Sequence, residues 1–386
     1  MQDTEDRPGS GDIAFSRLNV VVKPTNACNL ACTYCYVFDR SQHAFMSDQT
    51  LERVMNECIG AVSLNGKLEV IWHGGEPSIV GVDFYRKAVS YQKNRDAAPF
   101  IENTFQTNAY ALSDELIEFL RLHNFSVGAS LDGPEELHNR CRRAHGGRGS
   151  FRQVFANIQR LRKMAIPCGV ICVITRQNKD HIKEIYDFFH GEQIPFKINP
   201  LINAGSARSR RSYHHITPEE YADVVLELFD LWYSDGTSTL PVGTVEDIVK
   251  SLLKDQHTGC CGSMNCQKHF LAIGPTGDVY PCGRFDGMPG YHYGNISRRA
   301  LHDILRSPVR RDLLERDARL IPRCRQCEWL RICHGGCMHN ALCDTGDIAA
   351  PDILCRAYRK IYPRIRQTLR ETIDPALETQ IRHVRT

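Results

Sequence analysis

No apolar run in this sequence approaches the ~18 residues that a membrane-crossing helix needs, so a membrane-spanning protein is not expected. Charge of one sign is missing as well. The 48 Lys and Arg against 45 Asp and Glu leave +3, and nothing in that balance asks for nucleic acid or an acidic membrane. There is no internal repeat and no low-complexity segment. Residues 1–12 are polar and acidic and lack the basic and apolar regions of an export signal. The expected location is therefore the cytoplasm, with residues 1–14 a flexible tail. What the chain has in excess is cysteine, 17 in 386 residues. A chain this long without an export signal does not use them as the framework of a small secreted domain. In a reducing compartment, clustered thiols bind metal or carry out redox chemistry.

From Leu18 to Asn203, short runs rich in β-branched and aromatic residues alternate with stretches of helical period. Strands are expected at 18–23, 68–72, 103–107, 126–131, 168–174 and 196–202, with helices at 48–64, 84–95, 113–123, 151–164 and 180–190. The helical stretches carry apolar residues three and four apart, as in Leu116, Phe119 and Leu120, and Ser113 stands as an N-cap. Six strands alternating with five helices predict parallel βαβ units with right-handed crossovers. An open doubly wound sheet and a closed or partial barrel both satisfy that order, and both place ligands at the C-terminal ends of strands. Cys28, Gly74, Asn108 and Asp132 fall there, after strands one to four. A helical stretch follows at 218–254. Beyond about residue 250 the chain is dense in cysteine and glycine, the composition of a small module held by metal. The expected domains are 15–250, 251–360 and a C-terminal helix at 361–386. That helix is basic through Arg364, Arg366, Arg370, Arg382 and Arg385, which read as a solvated face.

Cys28, Cys32 and Cys35 form a C-x3-C-x2-C loop after strand one, a pattern expected by chance only ~0.03 times in such a chain. Three thiolates on one loop hold three irons of a [4Fe-4S] cube and leave the fourth open. A zinc knot, the alternative, needs a fourth ligand from elsewhere. The segment resembles the cluster loop of the radical S-adenosylmethionine (SAM) superfamily. That resemblance implies α/β architecture with a partial (β/α)6 barrel, and SAM chelated by the open iron and reductively cleaved to a 5′-deoxyadenosyl radical. By the same resemblance Tyr34 packs near the adenine. Gly74, Gly75 and Glu76, in His73-Gly74-Gly75-Glu76-Pro77, match the family's GGEP, whose peptide carbonyls meet the SAM ammonium. Asn108 faces the same rim, Ser130 and Arg142 contact SAM, and Leu201 lines the adenine pocket. An arginine suits the SAM carboxylate, and Arg140 and Arg143 stand close enough in sequence to compete for that place.

Cys324-x2-Cys327-x5-Cys333-x3-Cys337 has a chance expectation of ~0.001. With Gly277-x4-Cys282 upstream, Cys260, Cys261 and Cys266 before it and Cys355 behind, it resembles the SPASM domain, an extension holding two auxiliary [4Fe-4S] clusters. Carried over, the first auxiliary cluster takes Cys260, Cys266, Cys282 and Cys337, with Cys261 a competitor for Cys260. The second takes Cys324, Cys327, Cys333 and Cys355, which makes three clusters in all. Cys58, Cys141, Cys168, Cys172, Cys261 and Cys343 remain as buried hydrophobes or surface thiols. Two zinc sites are the alternative for this module.

The SPASM resemblance implies modification of a peptide, with an auxiliary cluster accepting an electron from the substrate. Related anaerobic sulfatase maturases, which make formylglycine, place an aspartate directly after the cysteine of G-x4-C as base; here that position is Gly283. The preferred expectation is therefore a maturase of a ribosomally made precursor peptide, installing a cyclophane or thioether crosslink. Formylglycine formation is the alternative, and a non-catalytic zinc-stabilised interaction protein the second. Asp286 is the nearest candidate base, set against a reading as an exposed loop carboxylate. Expected partners are the precursor peptide and an electron donor of flavodoxin or ferredoxin type. With ~15 residues before strand one, too few for a leader-binding fold, leader recognition falls to the barrel, the SPASM module or a separate protein. Arg208, Arg210 and Arg211 could meet an acidic leader.

Overall fold

The computed structural model describes residues 14–37, 43–93, 99–201, 204, 205, 207, 211–236, 240–258 and 266–372. Its first half runs β1 (Phe15–Val22), α1 (Asp48–Gly60), β2 (Val62–Trp72), α2 (Val82–Lys93), β3 (Phe100–Thr107), α3 (Asp114–Leu122), β4 (Ser126–Ser130), α4 (Glu135–Cys141), α5 (Phe151–Lys163), β5 (Cys168–Ile174), α6 (Ile182–Gly191) and β6 (Phe196–Pro200). The six strands pair in sequence order and all in parallel, so their C-terminal ends share one rim. The sheet is not closed: its order is β6-β5-β4-β3-β2-β1, continued beyond β1 by three strands of the second half.

Those are β7 (Phe270–Ile273), parallel to β1, then β8 (Asp278–Tyr280) and β9 (Gly294–Asn295), both antiparallel. They follow α7 (Pro218–Ser234) and α8 (Gly243–Lys254) and precede α9 (Met338–Thr345) and α10 (Cys355–Thr372), to number only the longer helices. The cysteine-rich half thus extends the barrel sheet rather than standing apart from it. No helix among the described residues is long and apolar enough to cross a membrane.

Local chemistry explains most element boundaries. Ser113 caps α3 by accepting the Leu116 N–H at 3.1 Å, as its sequence position implies. Thr217 and Glu220 close a capping box on α7, with Pro218 in the first turn. The single helical stretch expected at 218–254 is two helices, broken between Ser234 and Gly243. β2 starts at Val62 rather than Leu68, because its first turn of strand is solvated at Ser63, Leu64 and Asn65 and shows no apolar alternation. The C-terminal helix begins at Cys355, not 361. It buries Ala357, Ile361, Tyr362 and Ile365, and Arg364 reaches Asp230 of α7 at 3.4 Å, so it is a packed helix rather than only a solvated face. Arg382 and Arg385 lie outside the described residues.

The core matters here for what it holds in place. Trp72, Tyr85 and Phe105 pack edge to face, with ring centroids 5.4 and 5.2 Å apart. The buried Tyr85 hydroxyl donates to the Pro77 carbonyl at 2.7 Å, fastening the turn after β2 to α2.

Candidate active site

Cys28, Cys32 and Cys35 stand on the loop leaving β1, clamped from both sides by backbone. On one side the N–H groups of Gly75 and Glu76 donate to Thr25 and Ala27 carbonyls at 2.9 and 2.8 Å. On the other, Ala31 and Thr33 donate to Arg143 and Cys141 carbonyls at 2.7 and 3.0 Å. The glycine pair is what permits the approach. A Cβ on Gly75 would stand 2.2 Å from the Ala27 oxygen, and one on Gly74, at φ +131°, 2.4 Å from the Thr25 oxygen. Burial pushes the Cys28 thiol up to about 12, against the Leu30 N–H, which lowers it. Among the described residues no three His, Cys, Asp or Glu side chains converge as ligands of one ion. Three thiols on one loop, with no fourth side-chain ligand beside them among the described residues, suit three irons of one cluster better than the closed four-ligand site of zinc.

Glu76 is fully buried, and its carboxylate accepts from the Thr107 hydroxyl (2.7 Å), the Asn108 N–H (2.7 Å) and the Ser78 N–H (3.0 Å). The side chain ties the ends of β2 and β3 together, leaving the backbone of the turn to face a ligand. Burial holds the carboxyl above its ordinary range despite these donors. Asn108 turns its amide toward the loop, donating to Asn29 Oδ1 at 2.8 Å and lying 3.7 Å from the Cys28 sulfur.

Beyond β4, Arg142 donates to the Tyr34 hydroxyl (2.6 Å), which donates to Asp132 (2.6 Å), all three side chains buried. The Arg142 Nε is buried with no hydrogen-bond partner among the described residues. Such an orphan donor suits a carboxylate ligand. Its two competitors are engaged elsewhere: Arg140 with Glu136 (2.9 Å) and the Gln177 carbonyl (2.8 Å), Arg143 with the Asn139 carbonyl (2.8 Å). His138 positions Arg142. Its Nδ1 accepts from the Asp132 N–H (3.3 Å), so Nε2 donates to Ser150, whose hydroxyl donates to the Arg142 carbonyl (2.8 Å). Ser130 ends β4, and its hydroxyl is half-buried on the same rim. Leu201 packs in a small apolar cluster with Tyr34, Cys141, Val173 and Ala207, so both expected adenine neighbours share one wall.

Of the first expected quartet, Cys266, Cys282 and Cys337 are described, and they group apart from Cys324, Cys327, Cys333 and Cys355 although Cys337 stands between Cys333 and Cys355 along the chain. The Cys266 thiol is held up to about 12, first by burial and then by Cys282 and Cys337 close by. Cys324, Cys327, Cys333 and Cys355 line one cavity with Trp329 and Tyr358. Cys260 and its competitor Cys261 lie outside the described residues, as do Arg208, Arg210 and the side chain of Arg211. Of the remaining thiols, Cys58, Cys141 and Cys172 are buried, Cys168 is half-buried, and Cys343 lies 3.7 Å from His339 Nε2.

Between the quartets and the loop lies a group that the sequence reading missed. Lys23, one residue past β1, is buried and donates to Asp286 (2.7 Å) and to the Gly283 carbonyl (3.0 Å). Desolvation pulls this ammonium down, but Asp286, Tyr36 and Cys282 together outweigh it and hold Lys23 above its ordinary value. The Asp286 side chain is only 14% exposed, so it is not the free loop carboxylate weighed above. A Cβ on Gly283 would stand 3.7 Å from Lys23 Cε, so a side chain at 283 would start beside this same lysine. Burial, then Lys23, pushes His73 down to about 4, keeping its ring neutral. A narrow cleft, with about 50 Å³ open to water, lies between the end of β6 (Pro200, with Leu201 after it) and the second half (Arg284, Asn340, Cys343). Arg284 carries it inward, 3.8 Å from the Cys337 sulfur.

Residues 22–189 match the radical SAM superfamily, and residues 261–328 match the SPASM iron–sulfur cluster-binding domain. The chain carries a radical SAM domain followed by a SPASM domain; these make it an enzyme and imply [4Fe-4S] clusters and SAM as its cofactors. Among its relatives is the serine-type anaerobic sulfatase-maturating enzyme of Bacteroides thetaiotaomicron, 29% identical over 374 residues, covering 90% of this chain and 89% of the relative. The fold is shared with anSMEcpe bound to AdoMet and the Cp18Cys peptide, at TM-score 0.79 and 22% identity over 92% of this chain and 100% of that one. It is shared more distantly with Streptococcus suis SuiB bound to its precursor peptide SuiA, at TM-score 0.67 and 18% identity over 88% and 76%.

Proposed function

We propose that this radical SAM/SPASM maturase acts in the cytoplasm on a ribosomally made peptide and installs a side-chain crosslink of cyclophane or thioether type. Cys28, Cys32 and Cys35 would hold the SAM-binding cluster. Cys260, Cys266, Cys282 and Cys337 would hold one auxiliary cluster, and Cys324, Cys327, Cys333 and Cys355 the other. When bound, these groups supply one-electron chemistry and hydrogen-atom abstraction from the substrate. The chain's own residues supply position. Arg142 offers its buried guanidinium to the SAM carboxylate, Ser130 and Asn108 face the same ligand from β4 and β3, and the turn at Gly74, Gly75 and Glu76 presents backbone to its ammonium. Tyr34, held by Asp132 and Arg142, and Leu201 wall the adenine. An extended peptide would enter between the halves at the cleft beside Arg284. An electron donor of flavodoxin or ferredoxin type, and a separate leader-binding protein, would complete the system.

The observation that carries the crosslinking reading is Gly283. The residue after Cys282 has no carboxylate to take a proton from a formylglycine precursor. The sulfatase-maturase reading draws on Asp286, which brings a carboxylate to the same lysine from three positions further on. Anaerobically reconstituted protein is expected to bind about twelve irons per chain, as three four-iron clusters require, and to form 5′-deoxyadenosine from SAM. Mass spectrometry then separates the two readings. A peptide encoded beside the gene that loses a pair of hydrogens and stays inert to a hydrazine probe supports crosslinking. A sulfatase peptide that turns hydrazine-reactive, with no change in the adjoining peptide, overturns it.

A further inference from the structure

The cavity lined by Cys324, Cys327, Cys333 and Cys355 carries Arg323 and Arg359 at its edge, both exposed. Both act electrostatically on Cys355, which places their charge beside the thiols. Neither has a carboxylate partner among the described residues, and neither does the exposed Arg325. The basic residues around them are different. Arg331 pairs with Asp255 (3.2 Å), Arg356 with Glu219 (3.2 Å) and Arg366 with Glu328 (2.8 Å). The nearby Asp317 is taken by Arg319 (2.6 Å), and the buried Asp352 accepts from the backbone N–H of Cys337 and Leu354. Cations thus stand unpaired at the edge of the cavity that this thiol quartet lines, with Cys327, Cys333 and Cys355 half-buried.

At the other auxiliary quartet the cations are engaged: Arg284 touches both Cys337 and Asn340, and Lys23 is paired with Asp286. We propose that the face around Arg323, Arg325 and Arg359 docks a small acidic electron-transfer protein. One electron passes between that protein and the second auxiliary cluster, and no bond or proton moves. The proposal rests on the reading of these four cysteines as ligands. Electron tunnelling falls steeply with distance, so the exchange needs a cluster close to the surface. A one-signed rim around it raises the encounter rate with a partner of opposite charge and selects against partners of like charge.

The test uses the reconstituted holoenzyme and an acidic flavodoxin as probe, with affinity measured by anaerobic calorimetry at low and high salt. The Arg323→Ser/Arg359→Ser double variant is expected to bind about tenfold more weakly at low salt, with a flatter salt dependence. Its iron content and the midpoint potential of the second auxiliary cluster stay as in the wild type. Arg86→Ser, on α2 of the barrel, should bind like the wild type. Unchanged affinity and salt dependence in the double variant overturn the proposal. So does a shifted midpoint potential with unchanged affinity, which would make the arginines balance the cluster's charge and nothing more. A wild-type preparation lacking this cluster's paramagnetic resonance signal, while the other clusters are present, would instead overturn the ligand reading and the docking face with it.

Discussion

The barrel half is carried by strands of up to 11 residues, and its largest buried side chains include Trp72, Tyr85 and Phe105. The second half has strands of four, three and two residues, and four of its thiols line a cavity beside its buried core. Both halves present candidate ligands, but by different means. In the barrel, parallel strands with a packed interior set the rim, and the cluster loop is laid on it by backbone hydrogen bonds and two glycines. The second half shares the barrel's apolar core through Phe285, Ile296, Trp329 and Ile361, but its cysteine-bearing segments are short turns and loops, so the bound clusters would supply part of what holds those segments together. The first half is expected to hold without its cluster, and the cysteine-bearing segments of the second to depend more on theirs.

The strongest break of this comparison is chemical. Changing Cys28, Cys32 and Cys35 together to alanine should drop 5′-deoxyadenosine formation to background, measured by chromatography, while circular dichroism keeps the barrel's signature. Stripping iron with a chelator and oxidant should next collapse amide-exchange protection across 266–372, including α10, while 62–201 stay protected. Equal loss in both halves would contradict the difference drawn here.

At the junction, Lys23→Met leaves Asp286 buried beside no cation and should cost about 3–5 kcal/mol by denaturant titration. The pH dependence has a definite sign. Lys23 is held above its ordinary 10.5, so the stability it contributes is fully present below that pH and is lost as pH rises through the higher folded value. The melting temperature of the wild type should therefore fall above pH 10.5 more steeply than that of Lys23→Met. Within the barrel, Glu76→Gln turns one accepting oxygen into a donor facing the Thr107 hydroxyl or the Asn108 N–H, and should cost about 1–3 kcal/mol. Ser113→Ala removes only the α3 cap and should cost about 1 kcal/mol.

The barrel was the more legible half. β5 spans the residues its apolar run marks, and Ser113 caps the helix it precedes, because both signals are local. α4 escaped notice: it is a seven-residue helix after Pro134 with no long apolar repeat. The cluster loop was legible from cysteine spacing, and its glycines from the GGEP likeness. What those glycines admit, the carbonyls of Thr25 and Ala27, emerged only in three dimensions. Lys23 carried a faint signal, a lysine closing the run Val20–Val21–Val22, but nothing in its neighbourhood names Asp286. Arg142 was one of three nearby arginines until burial and hydrogen bonding singled it out.

By itself the sequence determined the order of strands and helices, the positions of the thiols and the glycine turn, since propensity, periodicity and spacing act over a few residues. Tertiary structure decided the rest. It joined β7 to β1, so that the cysteine-rich half continues the barrel sheet, and it set Lys23 against a carboxylate 263 residues away. It also grouped Cys337 with Cys266 and Cys282 instead of with Cys333, four residues before it. Such pairings are selected by which distant groups can be buried together and still satisfy their charges and hydrogen bonds, a condition that exists only once the chain has folded.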